Sequence, residues 1–447
     1  MRYFPLTEYE RKEIFDFLGI NSEEELFEDI DKALRNEDNF EDFPHALDER
    51  ELIEKFKSLA SKNTFNQYLS FLGSGAYNHF IPEVVSYLSS KGEFLTPYTP
   101  YQPEVSQGSL QAMFEYQTMI SMLTGMDVSN SSLYDGGTAA AEGVLLVMRK
   151  SRKGKVLISE LLHPEYKEIV ETYVQNLGIE YDYVKYDKNT AKLDINDLKQ
   201  KIDDKTACVL FQSPNFFGIV EDSKKISDIS HESKSYSVQV VAEAYSLPFL
   251  KPPAENGVDI VVGEAQSFGL PLSHGGPYLG FIGAKEEFLR QMPGRIVGET
   301  KDVDGKRGYV LTLSTREQHI KREKATSNIC SNQAWCALRA GIFLATMGKK
   351  GLQEVSSYNH KITSYFVRKV KELKGMEVLY DRDFFNEVVV KISDDKLFDK
   401  LKDKGILFGV DLSWFYNDMK NTFVLNFTEI HKKSDIDRLI EVLGEEL

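Results

Sequence analysis

Between about residues 130 and 290, short apolar runs alternate with segments of helical pattern, and this alternation restricts the fold more than any other feature of the chain. The runs "KVLIS", "YDYVKY", "ACVLFQS", "SVQVVAEA", "DIVVGEA" and "YLGFIGA" are separated by stretches such as "HPEYKEIVETYVQNLG" and "DINDLKQKID". Strand and helix in alternation predict an α/β fold. "CVLF" and "VVA" lack polar alternation, as expected for strands of a mostly parallel sheet covered on both faces. Upstream, "TEYE" at Thr7 to Glu10 and "SEEE" at Ser22 to Glu25 have the form of capping boxes, which predicts a helical arm. Prolines at 97, 100 and 103 make "YTPYQPEVSQGS" an extended connection ahead of a long helix through "LQAMFEYQTMISMLTG". Downstream, "NEVVVKI", "DDKLFDKLKDKG" and "NTFVLNFTE" read as a smaller α+β unit. The expected division is an arm, 1–64, a large α/β domain, 65–325, and a small α+β domain, 326–447.

Charge narrows the function classes. The chain of 447 residues carries 54 Lys+Arg against 69 Asp+Glu, a net −15, and such a field repels nucleic acid and anionic membrane surfaces. Cys208, Cys330 and Cys336 form neither a CxxC pair nor an even disulfide set, which fits a reducing compartment and gives no structural zinc. The start, "MRYFPLTEYERKEIFDFLG", lacks the pattern of a secretory signal, and no run reaches the roughly 18 apolar residues of a membrane span. A soluble cytoplasmic protein is expected.

Several motifs bear on chemistry. "FLGSGAYNHF" sets Gly73 and Gly75 in a partial GxGxxG, but Asn78 replaces the third glycine, so a plain turn is the better reading. No GxxxxGK[ST] is present. In "SLYDGGTAAAEG", Gly136, Gly137 and Thr138 lead directly into an alanine-rich helix, where backbone N–H groups could cradle a phosphate; a tight strand-to-helix turn explains them equally well. His163 stands where a strand gives way to a helix, either as a ligand-side residue or as a polar cap. Asn215 lies in a turn that its SPN sequence already explains. Arg316, Lys321, Arg322 and Lys324 form a basic run, read first as a solvated helix face and second as an anion site.

Taken together, "YTPYQPEVSQGSLQAMFEYQTMI", "YDGGTAAAEG", "SPNFFGIVED", "GEAQSFGLPLSHGGPYLGF" and "TREQHIKREKATSNICSNQ" resemble the P-protein family of the glycine cleavage system, glycine dehydrogenase (decarboxylating), in the amino-terminal subunit of its two-subunit form. The resemblance covers nearly the whole chain. It implies a pyridoxal-phosphate-dependent transferase fold of the aspartate-aminotransferase type. It also implies a second subunit of the same fold that carries the cofactor lysine, in an α2β2 heterotetramer that decarboxylates glycine and passes the aminomethyl group to lipoylated H-protein. Matched through Pro271 and the "GGP" at 275–277, this chain has Ala265 and Gln266 where the lysine-bearing subunit has a His-Lys pair. An amide nitrogen cannot replace the lysine amine, because its lone pair is delocalised into the carbonyl. The aspartate expected beside the pyridine nitrogen falls at Ala242 or Glu243. His163 and the Gly136, Gly137, Thr138 turn then remain as remnants of a cofactor cup, with pyridoxal phosphate held by the partner. Tyr98, Thr99 and Tyr101 become candidates for a wall beside the substrate. Two other readings stay open: a non-catalytic scaffold of the partner subunit, and an autonomous enzyme using another lysine, for which Lys285 is the nearest candidate.

Overall fold

The computed structural model describes residues 6–35, 46–394 and 396–447. Two compact units are present, Met1–Asn66 and Gln67–Leu447. In the first, the helix Glu8–Leu18 begins with a complete capping box between Thr7 and Glu10, and Glu49–Ala60 begins with another between Asp48 and Glu51. The box expected at Ser22 does not form. Glu25 instead accepts hydrogen bonds from the backbone N–H and side-chain amide of Asn21, and Glu23–Phe27 is a 3₁₀ turn with no side-chain cap.

The larger unit opens with the short strand β1 (Leu69–Ser70). Seven strands then build its main sheet: β2 (Val128–Ser129), β3 (Lys155–Ser159), β4 (Glu180–Val184), β5 (Thr206–Gln212), β6 (Tyr236–Val241), β7 (Ile260–Glu264) and β8 (Gly280–Ala284). Their spatial order is β2-β8-β7-β6-β5-β3-β4. β4, β3, β5, β6 and β7 run parallel, and β8 runs against both β7 and β2. Every residue of β5, β7 and β8 is buried, as continuous apolar runs require when both faces are covered. Helices Gly136–Ser151 and Pro164–Gln175 pack on one face; Gln107–Thr124, Ser223–Glu232 and the long Ala334–Val370 pack on the other.

An antiparallel hairpin, β9 (Ile296–Lys301) and β10 (Arg307–Thr312), packs on the Gln107–Thr124 helix through Leu110, Met113, Val297 and Tyr309. The remaining strands are β11 (Met376–Val378), β12 (Glu387–Ile392), β13 (Ile406–Leu407), β14 (Val410–Asp411) and β15 (Thr422–Asn426). They form a second sheet in the order β11-β12-β15-β14, while β13 pairs with β1. The helix Ala334–Val370, broken at Gly348, reaches from one sheet to the other. Because five main-sheet strands point the same way, the turns after β3, β5, β6 and β7 gather at one edge. In α/β folds that edge is where ligands bind.

Candidate functional site

Gln266 follows β7 by two residues and is 1% exposed. Its amide is fully engaged: Oε1 accepts the backbone N–H of Tyr77 at 3.0 Å, and Nε2 donates to the carbonyls of Tyr77 at 3.0 Å and Leu270 at 2.7 Å. Gln266 is therefore a structural pin between the 77 segment and the turn after β7.

The glycine turn is equally occupied. Asp135 caps the helix Gly136–Ser151, accepting the N–H of Thr138 at 2.7 Å, and Thr138 Oγ1 returns to Asp135. The Gly136 N–H donates to Glu264 Oε2 at 2.9 Å. Glu264 also accepts from the N–H groups of Leu279 and Gln266, and burial pushes its carboxyl up to about 7 against those three donors. The two glycines serve close packing: a Cβ at Gly136 would stand 2.4 Å from Tyr166 Oη, and one at Gly137 would stand 2.5 Å from Ile169 Cδ1. His163 stacks on Tyr166, with centroids 4.6 Å apart, and meets Phe216 edge-on. Its Nε2 bonds the Ser74 carbonyl at 2.8 Å, and burial holds its pKa below the ordinary histidine range. Gly75 lies at the Nε2 edge of the ring, where a Cβ would fall 2.6 Å from Nε2.

His163, Tyr166 and Gly75 border a cavity of about 520 Å³, whereas Gly136, Gly137 and Thr138 lie outside its lining. Asp135, Glu165 and Glu264 line it, and among the described residues no Lys or Arg does. The residues present do not fit pyridoxal phosphate. The Gly136 and Thr138 N–H groups at the helix N-terminus are taken by carboxylates, Tyr166 stacks on His163, and among the described residues no lysine lines the cup. Sequence reasoning missed Glu264 and Tyr166. The carboxylate at the end of an apolar strand, "VVGE", was the signal for the first.

The segment 73–80 is held from both sides. Tyr77 Oη donates to Glu387 Oε2 at 3.0 Å, and the Ser74 N–H donates to Glu387 Oε1 at 2.6 Å. His79 lies between Glu429, 2.8 Å from Nδ1, and Glu243, 3.0 Å from Nε2. Burial alone would depress the His79 pKa, but the two carboxylates outweigh it and push it up to about 10. Glu243 thus faces His79, and Ala242 beside it is buried. The "GSG" of this segment makes no nucleotide loop: Gly73 packs against Asn426 and Glu387, and Gly75 against His163. Asn215 organises its own turn, donating to Ala191 O and Glu221 and accepting the N–H groups of Phe217 and Ile219. Lys285 follows Ala284, which pairs with Ile260 at the start of β7, and its Nζ is bonded to Asp259. It stands at the opposite edge of the sheet from Gln266, so the reading of an autonomous enzyme based on Lys285 is set aside.

Tyr98, Thr99 and Tyr101 do not approach this cup. Tyr98 and Thr99 line a second cavity of about 400 Å³, whose lining also includes Arg295, Ser331 and Trp335 and shares no residue with the first, whereas Tyr101 lies outside its lining. Tyr98 Oη and Ser331 Oγ are 2.6 Å apart, and the Tyr101 ring lies 5.6 Å from the Arg295 guanidinium. Of the basic run, Arg316 is buried, whereas Lys321, Arg322 and Lys324 are exposed.

Residues 1–443 match the family described as "Glycine cleavage system P-protein". The chain belongs to the P-protein family. Within it, the chain is 47% identical over 440 residues to a probable glycine dehydrogenase (decarboxylating) subunit 1 of Koribacter versatilis, covering 98% of each chain. It is 46% identical to the protein of the same description in Lysinibacillus sphaericus, covering 99% of this chain and 98% of that one. The crystal structure of glycine decarboxylase (P-protein) of the glycine cleavage system, in inhibitor-bound form, superposes with a TM-score of 0.90 at 38% identity over 100% of both chains. A cysteine desulfurase from Thermococcus onnurineus superposes with a TM-score of 0.63 at 16% identity, covering 85% of this chain and 94% of that one, which speaks for the fold alone. The fold of this P-protein chain is therefore that of the pyridoxal-phosphate-dependent transferases, a mostly parallel central sheet with a smaller α+β portion.

Proposed function

We propose that this P-protein chain is the lysine-free subunit of glycine decarboxylase. With a lysine-bearing partner subunit of the same fold it decarboxylates glycine and transfers the aminomethyl group to the lipoyl group of H-protein. The single observation that carries the division of labour is Gln266, an amide hydrogen-bonded through both of its heteroatoms to backbone groups, near a cup lined by this chain's own carboxylates. Pyridoxal phosphate, which supplies the electron sink for loss of CO2, then belongs to the partner. This chain supplies a rigid body against which the partner's site is completed, with Tyr98, Thr99 and Tyr101 as its substrate-side wall. The reading takes the chain as an arm, 1–64, a large domain, 65–325, and a small domain, 326–447, assembled as a cytoplasmic α2β2 heterotetramer. No helix among the described residues is long and apolar enough to cross a membrane.

The test is reconstitution. Mixing the two purified subunits is expected to give a stable complex by size-exclusion chromatography and glycine–CO2 exchange that neither subunit shows alone. Full exchange activity from the lysine-bearing subunit, unchanged on adding this chain, would reduce the chain to a scaffold and overturn the proposal.

A further inference from the structure

Around the turn at Gly294–Arg295, buried polar atoms without a hydrogen-bond partner among the described residues accumulate: Asn130 Oδ1, Ser131 Oγ, Arg295 Nε, Arg316 Nε and Nη2, and Glu317 Oε1. One more, Thr99 Oγ1, belongs to the proline-rich segment that lines the second cavity together with Arg295. Buried polar groups are almost always partnered in folded proteins, so a concentration of orphans beside a cavity marks a place built for something else.

The turn is firmly built. The Ser131 N–H donates to the Arg295 carbonyl at 2.8 Å, and Arg316 Nη1 donates to the Gly294 carbonyl at 2.7 Å. Gly294 has φ +73°, and a Cβ there would meet Asn130 Nδ2 at 2.9 Å. The Arg295 side chain is 97% buried and directed along Tyr101, whose hydroxyl lies 3.4 Å from Nη2. Two guanidinium groups, those of Arg295 and Arg316, stand against one carboxylate, Glu317. Its Oε2 lies 3.8 Å from Arg295 Nε, beyond hydrogen-bond reach, and 3.6 Å from His319 Nδ1. A positive charge is left over in a confined site, the electrostatic setting that favours an anion.

We infer that this second cavity binds a carboxylate or phosphate group, with Arg295 as its cation and Thr99 Oγ1 and the Tyr98–Ser331 hydroxyl pair as its hydrogen-bonding neighbours. The inference deepens the proposed function and rests on it only for the source of the anion: the substrate carboxylate or the cofactor phosphate of a partner's site, or a free anion. The direct test uses the full chain alone, with thermal unfolding followed in about 50 mM phosphate or acetate against chloride at equal ionic strength. Phosphate or acetate is expected to raise Tm by about 2 °C, and the rise disappears in Arg295→Gln and is partly kept in Arg295→Lys. Thr99→Val, which removes only a hydroxyl, gives a partial loss and serves if Arg295→Gln fails to fold.

In the reconstituted complex, a rise of about tenfold in glycine KM for Arg295→Gln with kcat nearly unchanged identifies the substrate carboxylate, whereas cofactor retention weakened about tenfold identifies the phosphate. Neither change, with anion stabilisation of the isolated chain intact, identifies a free-anion site. No stabilisation of the isolated chain and no change in either constant overturns the inference. Failure of the complex to form, with stabilisation intact, counts against the proposed function and leaves the anion site standing.

Discussion

At the end of β7 an amide and an amine of similar reach would make different bonds. Gln266 accepts one backbone N–H and donates to two carbonyls, whereas a lysine ammonium accepts nothing. Gln266→Lys therefore strands the buried Tyr77 N–H. A loss of about 1–3 kcal/mol in denaturant unfolding is expected, with no pyridoxyl-lysine at 266 after incubation with pyridoxal phosphate, borohydride reduction and peptide mapping. A stoichiometric adduct there would show that the cup still accepts the cofactor. The absence of the lysine was legible in the string "GEAQSFG". What the glutamine does was not, because its partner Tyr77 lies 189 residues away and no local pattern reports that separation.

At the scale of elements, the glycines at the start of the Gly136–Ser151 helix had two readings, a phosphate cradle and a tight turn. Tyr166 and Ile169 of the following helix press on them directly. Gly136→Ala is expected to destabilise the chain by about 1–3 kcal/mol, measured by urea unfolding, since the added carbon must displace the Tyr166 phenol. An unchanged midpoint would mean that the helices separate at no cost and that the packing account is wrong. The parallel strands were legible because burial on both faces erases polar alternation in runs such as "CVLF". The hairpin β9–β10 went unread, although the Asp304-Gly305 pair between its strands is a turn signal, with Gly305 at φ +80° and Asp302 accepting the N–H groups of Asp304 and Lys306. The failed capping box at Ser22 shows the reverse error: Glu25 found the Asn21 amide and backbone instead.

For the molecule as a whole, the buried acids and His79 set how stability depends on pH. A group whose pKa is higher in the folded chain than in the unfolded one stabilises fully below the unfolded value, and that contribution is lost as pH rises through the folded value. His79 goes from 6.5 to about 10 and Glu387 from 4.5 to about 8, so the Glu387 contribution is lost from mildly acid pH up to about 8 and the His79 contribution from about neutral pH up to about 10. Glu429 is held below its ordinary range: burial raises it, the neighbouring His79 outweighs burial, and its contribution, present at neutral pH, is lost only as pH falls into the acid range. Tm is expected to fall steadily between pH 6.5 and 10, and Glu387→Gln should flatten the part below about 8. A Tm constant over that range would rule out a charged His79 between its two carboxylates. The same contacts have a mechanical side. Residues 73–80 are fastened to Gln266 and Glu243 on the main sheet and to Glu387 and Glu429 beside the second, like a strap riveted at both ends. A neighbour docking here meets a surface already in its final shape and spends none of its binding energy on stiffening it.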